Sequence, residues 1–440
     1  MQKRTTKAIS LLLALSLTCP MAFTSAAADT EADIQGTKDY TIISPYEEVD
    51  WDTWGTYKTN LHTHSKASDG NNEIPEIVEE YYRQGFDVLA MTDHGVVNKG
   101  WNNAPETVPL LSFNAILKKP QILSQERYEQ ITTGSDRGGR GMTDVPKGIE
   151  MNAAVITKSH VNGFFADYGQ NMWGRERDYE TAVAGNEAAG GVSFINHPGD
   201  LIESSGDITK AQDPRNIKIY ADILKRHPSC LGIEIFNRTN NTTKHDRVLW
   251  DGILQSVIPT GRNVWGFSDS DAHNLDDINT SFEVFKMPEN NVDNVRRAME
   301  QGTFFAISRY PKYELPGDFE PVGNYPMVSR IEVNEDNDSI TIQGTDYNKI
   351  QWVANGNIIA EGNTIDLNAF EEQITCYVRA QLIGDGGVCL TQAFVVDDGN
   401  MQPLPEDQPN AIVDFLYKIL DAIKSTRIYV IFDFLIDKLN

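Results

Sequence analysis

Six short apolar runs in this chain end in His, Asp, Glu or Asn. They close on His62-Thr63-His64, Thr92-Asp93-His94, Ile149-Glu150-Met151-Asn152, Asn196-His197-Pro198, Ile233-Glu234-Ile235-Phe236-Asn237 and Ser268-Asp269-Ser270-Asp271-Ala272-His273. Runs of this length and composition read as buried strands. In a barrel of parallel strands the C-terminal ends meet on one face, where catalytic side chains collect. The chain has only eight histidines, and five fall at these ends. One such histidine is an ordinary core or surface residue; this convergence points to a multi-metal site. Strand alternation puts His62 and His64 on the same side, so both imidazoles can reach one ion. Asp69-Gly70 follows as a turn that folds a carboxylate back toward the strand end.

The segments between the runs read as helices. Ile74–Arg83 has Pro75 early, apolar residues at helical spacing and Gly85 just after it. Pro214–Arg226, Thr243–Leu254 and Asn291–Glu300 follow the same pattern, and Gly302–Ile307 reads as a closing strand. Alternating strands and helices through residue 310 predict an α/β domain with right-handed crossovers. Two intervals break the rhythm. Residues 99–147 hold a helix at Gln121–Ile131, then Arg137 and Arg140 among glycines. These arginines read either as bidentate phosphate donors or as part of a surface insertion. Residues 159–178 carry His160, Phe164, Phe165, Tyr168 and Trp173, read as pocket lining or as packing on the barrel. His227 and His245 fit no motif and are expected at the surface.

The ends have a different character. Residues 1–28 read as a secretory signal peptide: Lys3, Arg4 and Lys7, an apolar Ile9–Leu17 too short to span a bilayer, then Ala26-Ala27-Ala28. Residues 29–56 read as an acidic lead-in, 57–310 as the barrel and 311–327 as a Pro/Gly-rich linker. Residues 328–397 switch to period-two strands with Asn-Gly and Gly-rich turns, a small all-β sandwich in which Trp352 and Tyr377 suit an immunoglobulin-like core. That domain reads either as a glycan or envelope contact or as a support for the barrel. After a second linker at 398–410, residues 411–440 form an apolar helical stripe interrupted by Asp433 and Asp437, read as an amphipathic tail for association and not as a membrane span.

The net charge is −25, and the leader holds three basic residues and no acid, so the chain without it carries −28. Such a surface repels nucleic-acid backbones, which excludes tight duplex binding. Without Cys19 in the leader, Cys230, Cys376 and Cys389 remain, too few for a disulfide framework. The Gly384–Gly387 turn sets a register that does not oppose Cys376 and Cys389.

The set HTHS, SDG, TDH, IEMN, NHPG and SDSDAH, in that order over residues 57 to 310, resembles the polymerase and histidinol phosphatase (PHP) family of metal-dependent phosphoesterases. The resemblance implies a distorted (β/α)7 barrel and two or three divalent ions, Zn, Mn or Fe. It implies that His62, His64, Glu150 and Asp271 hold one ion, that Glu150 bridges to a second shared with His197, and that Asp69, His94 and His273 hold a third. The family often completes the second ion's shell with another His or Cys; the matching strand here offers Glu234. Asp93 and Asp269 are expected to orient histidines. Glu150, Asp271 and His197 would carry catalysis, with a metal-activated hydroxide as nucleophile and no Ser or Cys attack. Arg137, Arg140, Arg175 and Arg238 are candidate phosphate contacts. The expected activity is hydrolysis of a small phosphorylated molecule outside the cytoplasm. A metal hydrolase of another bond, such as an amide, and a non-catalytic envelope-binding protein are the alternatives.

Overall fold

The computed structural model of the chain describes residues 38–107, 119–152, 158–169 and 178–402. The expected leader at 1–28, Trp173, Arg175 and the tail at 411–440 lie outside them.

Two sheets carry the chemistry-bearing strand ends. In the first, Gly55–Asn60, Val88–Leu89 and Thr143–Asp144 pair in parallel. In the second, Val192–Ile195, Cys230–Asn237 and Trp265–Asp269 pair in parallel. Isolated parallel bridges join the sheets, Thr63 to Ala272 and His94 to Glu150 of the strand Ile149–Asn152. Both bridges involve or adjoin the His/acid motifs. The place where the sheets meet is therefore where those side chains converge.

The helices form where the sequence places them. In Ile74–Arg83, Pro75 sits in the first turn, and Glu73 and Glu76 form a capping box. Its buried face is Ile74, Ile77, Val78, Tyr81 and Tyr82. Gly85 follows with φ +81°, a conformation that a side chain would strain. Pro214–Arg226 has the expected bounds, and Val292–Gln301 is capped by Asn291. The helix expected at Thr243–Leu254 is Asp246–Val257, and the one expected at Gln121–Ile131 is Gln125–Thr133, capped by Ser124. No described helix is long and apolar enough to cross a membrane.

Strict strand–helix alternation does not hold throughout. His160–Phe164 is a strand, antiparallel to both Ile149–Asn152 and Val192–Ile195. Ser281–Met287 runs antiparallel to Gly55–Asn60 and to Phe304–Ser308. The interval after residue 159, expected as an insertion over the barrel, thus supplies a strand between two site-bearing strands.

The strands expected after residue 328 are present, but their sheet is shared. Gly387–Leu390 pairs with Phe304–Ser308, the closing strand of the preceding region, in the register Ala306–Leu390, Ile307–Cys389, Ser308–Val388. Tyr377–Gly384, Lys349–Ala354 and Phe394–Asp397 continue that same eleven-stranded sheet. Within the expected lead-in, Thr41–Ile43 is its edge strand, paired with Phe394–Asp397. One apolar cluster runs from Tyr81, Phe86 and Phe282 to Ile331, Ile340 and Trp352. A buried ion pair crosses the same boundary, Arg379 donating to both oxygens of Asp251 at 2.7 Å, and on the same helix Arg247 donates to both oxygens of Glu314, in the expected linker, at 2.9 and 3.0 Å. Cys230, Cys376 and Cys389 are buried free thiols, with Leu382 opposite Cys389.

Candidate metal centre

His62 lies past the end of Gly55–Asn60 and is fully buried. Its Nδ1 is 3.2 Å from Glu234 Oε1. A carboxylate there assigns the ring proton to Nδ1, which leaves the Nε2 lone pair pointing inward. That Nε2 is 3.1 Å from His64 Nε2 and 3.3 Å from both Glu150 Oε2 and Asp271 Oδ1. His64 Nε2 is 3.1 Å from the same two oxygens. Asp271 Oδ1 is buried and accepts no hydrogen bond among the described residues. Facing lone pairs at these distances repel unless a cation lies among them, and imidazole with carboxylate suits Zn, Mn or Fe.

Glu150 is the hub. Its Oε2 meets His62, His64 and, at 3.1 Å, His94 Nδ1. Its Oε1 meets His160 Nδ1 at 2.9 Å and His197 Nε2 at 3.4 Å. Asn196 Nδ2 donates to that Oε1 at 2.7 Å and fixes the carboxylate plane. Four overlapping groups bring their ligand atoms within 4.8 Å of one another: His64, Asp69, His94 and His273; His62, His197 and Asp271; His62, His64 and Glu150; His94, Glu150 and His160. Six of the eight histidines therefore sit in one nest.

Asp69 reaches it through a turn. Gly70 N donates to Ser65 O at 2.9 Å, and a Cβ on Gly70 would lie 2.6 Å from His64 O, so only glycine fits. Asp93 accepts from Ser65 N, Ser65 Oγ and Ser68 Oγ, each at 2.7 Å, and pins that turn. Asp69 then stands 3.2 Å from His273 Nε2 and 3.6 Å from His94 Nε2. The backbone bends sharply at the ligands: φ is +23° at His197 and +40° at Asp271, with +47° at Arg238 beside them. Non-glycine residues hold such values where surrounding structure enforces them, as at functional sites.

The charges compensate one another. Burial works against protonation of His64, but Asp271 and Glu150 outweigh it and lift the ring to about 10. His197 rises to about 9 in the same contest with Glu150 and Asp200, whereas burial takes His94 down to about 4. Burial opposes ionisation of Glu150, yet His94, His62 and His160 hold it well below the carboxylate range. The carboxylates thus demand positive charge, from protons or from metal ions, and ion binding must displace protons.

Several expectations need correction. Glu234 belongs to none of the ligand groups. It orients instead: Oε1 meets His62, and Oε2 accepts from His197 N at 2.8 Å and Asn237 Nδ2 at 3.0 Å. Asp93 and Asp269 touch no imidazole within hydrogen-bond distance; Asp93 holds the turn, and Asp269 accepts from Leu61 N. Burial, with Glu234 adding to it, raises Asp269 to about 8. His160, assigned no ligand role from sequence, stands at Glu150. The signal was His160-Val161-Asn162, whose alternation puts His160 and Asn162 on one face, and Asn162 is bonded to Asn196. His245 is buried, with Nδ1 2.5 Å from Ser204 O.

The arginines divide. Arg238 is at the nest: its Nε donates to Asp271 O at 2.9 Å, and its Nη2 touches His273 Nδ1. Arg137 and Arg140 both grip Asp87, Arg140 at 2.7 and 2.6 Å and Arg137 at 3.1 Å. Asp87 precedes Val88–Leu89, whereas the site follows it, so these two arginines lie at the opposite strand end. Arg140→Ala is expected to cost about 1.5–3 kcal/mol of stability by removing a charged hydrogen-bond pair. Denaturant unfolding reads that loss, and KM for any substrate should stay unchanged.

With this geometry in place, the comparisons with known proteins fall on the same residues. Residues 60–161 match the family model of the PHP domain. The PHP match spans His62, His64, Asp69, His94, Glu150 and His160, while His197, Asp271 and His273 lie beyond it. The chain is 23% identical over 195 residues to a 5'-3' exoribonuclease of Haemophilus influenzae, covering 32% of this chain and 69% of that protein. A two-domain Bacteroides vulgatus protein containing a predicted PHP-like metal-dependent phosphoesterase is 16% identical, with TM-score 0.39 over 87% of this chain and 98% of that one. A structure solved as a candidate metal-dependent phosphoesterase of Bifidobacterium adolescentis is 14% identical, with TM-score 0.29 over 56% and 96%. Both superpositions are loose, and the strand pairings above describe the fold.

Proposed function

We propose that this chain is an exported, metal-dependent phosphoesterase that hydrolyses the phosphate ester of a small molecule, its site-bearing strands arranged as a distorted barrel. The observation that carries the reading is Glu150, one buried carboxylate met by five histidines from four strand ends. The match to the PHP domain supports it. Divalent ions held by these groups would supply Lewis-acid activation of water and neutralise charge on phosphoryl oxygens.

The chain's own residues prepare that chemistry. Glu234 holds the tautomer of His62; Asn196 and Asn237 fix Glu150 and Asp271, Asn237 Nδ2 donating to Asp271 Oδ2 at 3.2 Å. Arg238 is 40% exposed at its side chain, and its planar donors suit a phosphate at the mouth of the nest. Arg175 keeps its sequence-based candidacy. Burial pushes Cys230 and Cys376 up to about 11 and Cys389 to about 12, which leaves no thiolate among the described residues to compete as nucleophile. The Haemophilus relative is named for cleaving a nucleic-acid chain, so phosphodiesters belong in the substrate screen. The acidic surface of this chain disfavours a polynucleotide grip.

The test is a screen of metal-stripped protein reloaded with Mn or Zn on chromogenic phosphomonoesters, phosphodiesters and amides. Metal-restored turnover of a phosphate ester is expected. Amide turnover with inert phosphate esters would overturn the assignment. Export predicts a mature terminus near Asp29 on protein recovered outside the cytoplasm; an intact Met1 in cell lysate would refute it.

A further inference from the structure

Behind the metal nest lies a closed ring of four side chains, all fully buried: Asn60, Thr63, Tyr81 and Ser270. Asn60 Nδ2 donates to Thr63 Oγ1 at 3.0 Å, and Ser270 Oγ donates to Asn60 Oδ1 at 2.7 Å. The amide fixes the direction of the remaining bonds. Ser270, already donating, must accept from Tyr81 OH at 2.5 Å; Tyr81 in turn accepts from Thr63 Oγ1 at 2.5 Å. Each hydroxyl gives one bond and takes one, head to tail.

The members of this ring alternate with the ligands. Thr63 stands between His62 and His64 and faces away from them, as strand geometry requires. Ser270 stands between Asp269 and Asp271. Asn60 Nδ2 also donates to His62 O at 2.9 Å, and Ser270 N donates to Asn60 Oδ1 at 2.9 Å. The ring thus ties the backbone of the HxH segment to the backbone that carries Asp271. It lies at the seam where the two sheets touch, marked by the Thr63–Ala272 bridge and by His64 N donating to Ala272 O at 3.0 Å. Tyr81 alone among the four comes from a helix, Ile74–Arg83. Its hydroxyl is the piece that both strand segments share.

We infer that Tyr81 is a positioning residue for the metal nest: through Thr63 and Ser270 it sets the spacing between the His62/His64 pair and Asp271. The inference rests on the reading of the nest as a metal site. Removing the hydroxyl breaks two buried bonds, orphans the Thr63 donor and the Ser270 acceptor, and loosens the spacing of two segments then held only by the Asn60–Ser270 bonds and the backbone bridge. Partners behind a ligand set typically change metal affinity about 10- to 100-fold when lost.

The experiment titrates purified, metal-stripped protein with Mn or Zn alone, by calorimetry and chelator competition. Tyr81→Phe keeps the ring packing and is expected to weaken metal binding about tenfold or more. Tyr82→Phe is the control: that hydroxyl donates to Asp136 at 2.6 Å on the far side, and affinity should match the parent. Thr63→Val breaks the same ring elsewhere and serves if Tyr81→Phe does not fold. Paired with Tyr81→Phe it should add little, since the ring is already open. Parent-like metal affinity in Tyr81→Phe, or strictly additive losses in the pair, would overturn the inference. If the parent itself binds no metal, the reading of the nest fails instead.

Discussion

Glu150→Gln is expected to lose metal from the two positions that Glu150 joins and to lower turnover at least about a hundredfold, the scale of losing a group that stabilises the transition state. The substitution keeps the side-chain shape. Asn196 Nδ2 donates to Oε1 at 2.7 Å, so the amide oxygen of the variant will settle there. Its NH2 then points where Oε2 stood, among His62, His64 and His94 at 3.1 to 3.3 Å. A donor in that position cannot ligate, and it removes the negative charge that offsets neighbouring dipositive ions. Glu180→Gln is the comparison. Glu180 pairs with Arg226 at 2.8 and 2.9 Å on an exposed face, and its loss should change stability by less than about 0.5 kcal/mol. Metal analysis and turnover on folded protein decide the matter. Full metal content with near-normal turnover in Glu150→Gln would remove the hub and the site built on it.

The candidate ligands at parallel strand ends were legible because two local rules suffice: an apolar run marks the strand, and alternation marks the face. His62, His64, His94, Glu150, His197, Asp271 and His273 all follow from them, and Asp69 from its turn glycine. His160 did not, because its strand runs antiparallel and carries the histidine at its start, where no preceding apolar run announces it. Arg137 and Arg140 misled for another reason. A glycine-rich loop with two arginines has the same composition whether it grips a phosphate or a buried Asp87; only the direction in which the loop returns separates the two. Glu234 shows a finer limit. Its position at a strand end was readable, but whether a carboxylate ligates or orients depends on which neighbour its oxygens meet, here His62 Nδ1. The strands after residue 328 were likewise visible from their period. Their partner was not, since pairing Gly387–Leu390 with Phe304–Ser308 joins residues about eighty positions apart.

That shared sheet makes Arg379→Met a destabilising change for the whole described unit. Arg379 and Asp251 are each 4% exposed at the side chain, and the guanidinium meets both carboxylate oxygens at 2.7 Å. Tyr377 OH donates to the same carboxylate at 2.8 Å. Taking away the arginine leaves Asp251 buried with a single strong donor, and breaking such a pair costs about 3–5 kcal/mol. Asp251 lies on Asp246–Val257, the helix that follows the Glu234 strand, so the pair couples the C-terminal strands to an element adjoining the nest. If the sheet is one cooperative unit, the variant should unfold in one transition at lower denaturant, and bound Mn or Zn should leave in that same transition. Adding Asp251→Leu should recover much of the loss, because apolar groups of matching volume can replace a buried ion pair at little cost. Tyr377 then lacks its acceptor, so recovery should be incomplete. Two separated transitions, with metal retained through the first, would show that the C-terminal strands unfold on their own and that the buried pair does not bind them to the metal-bearing sheets.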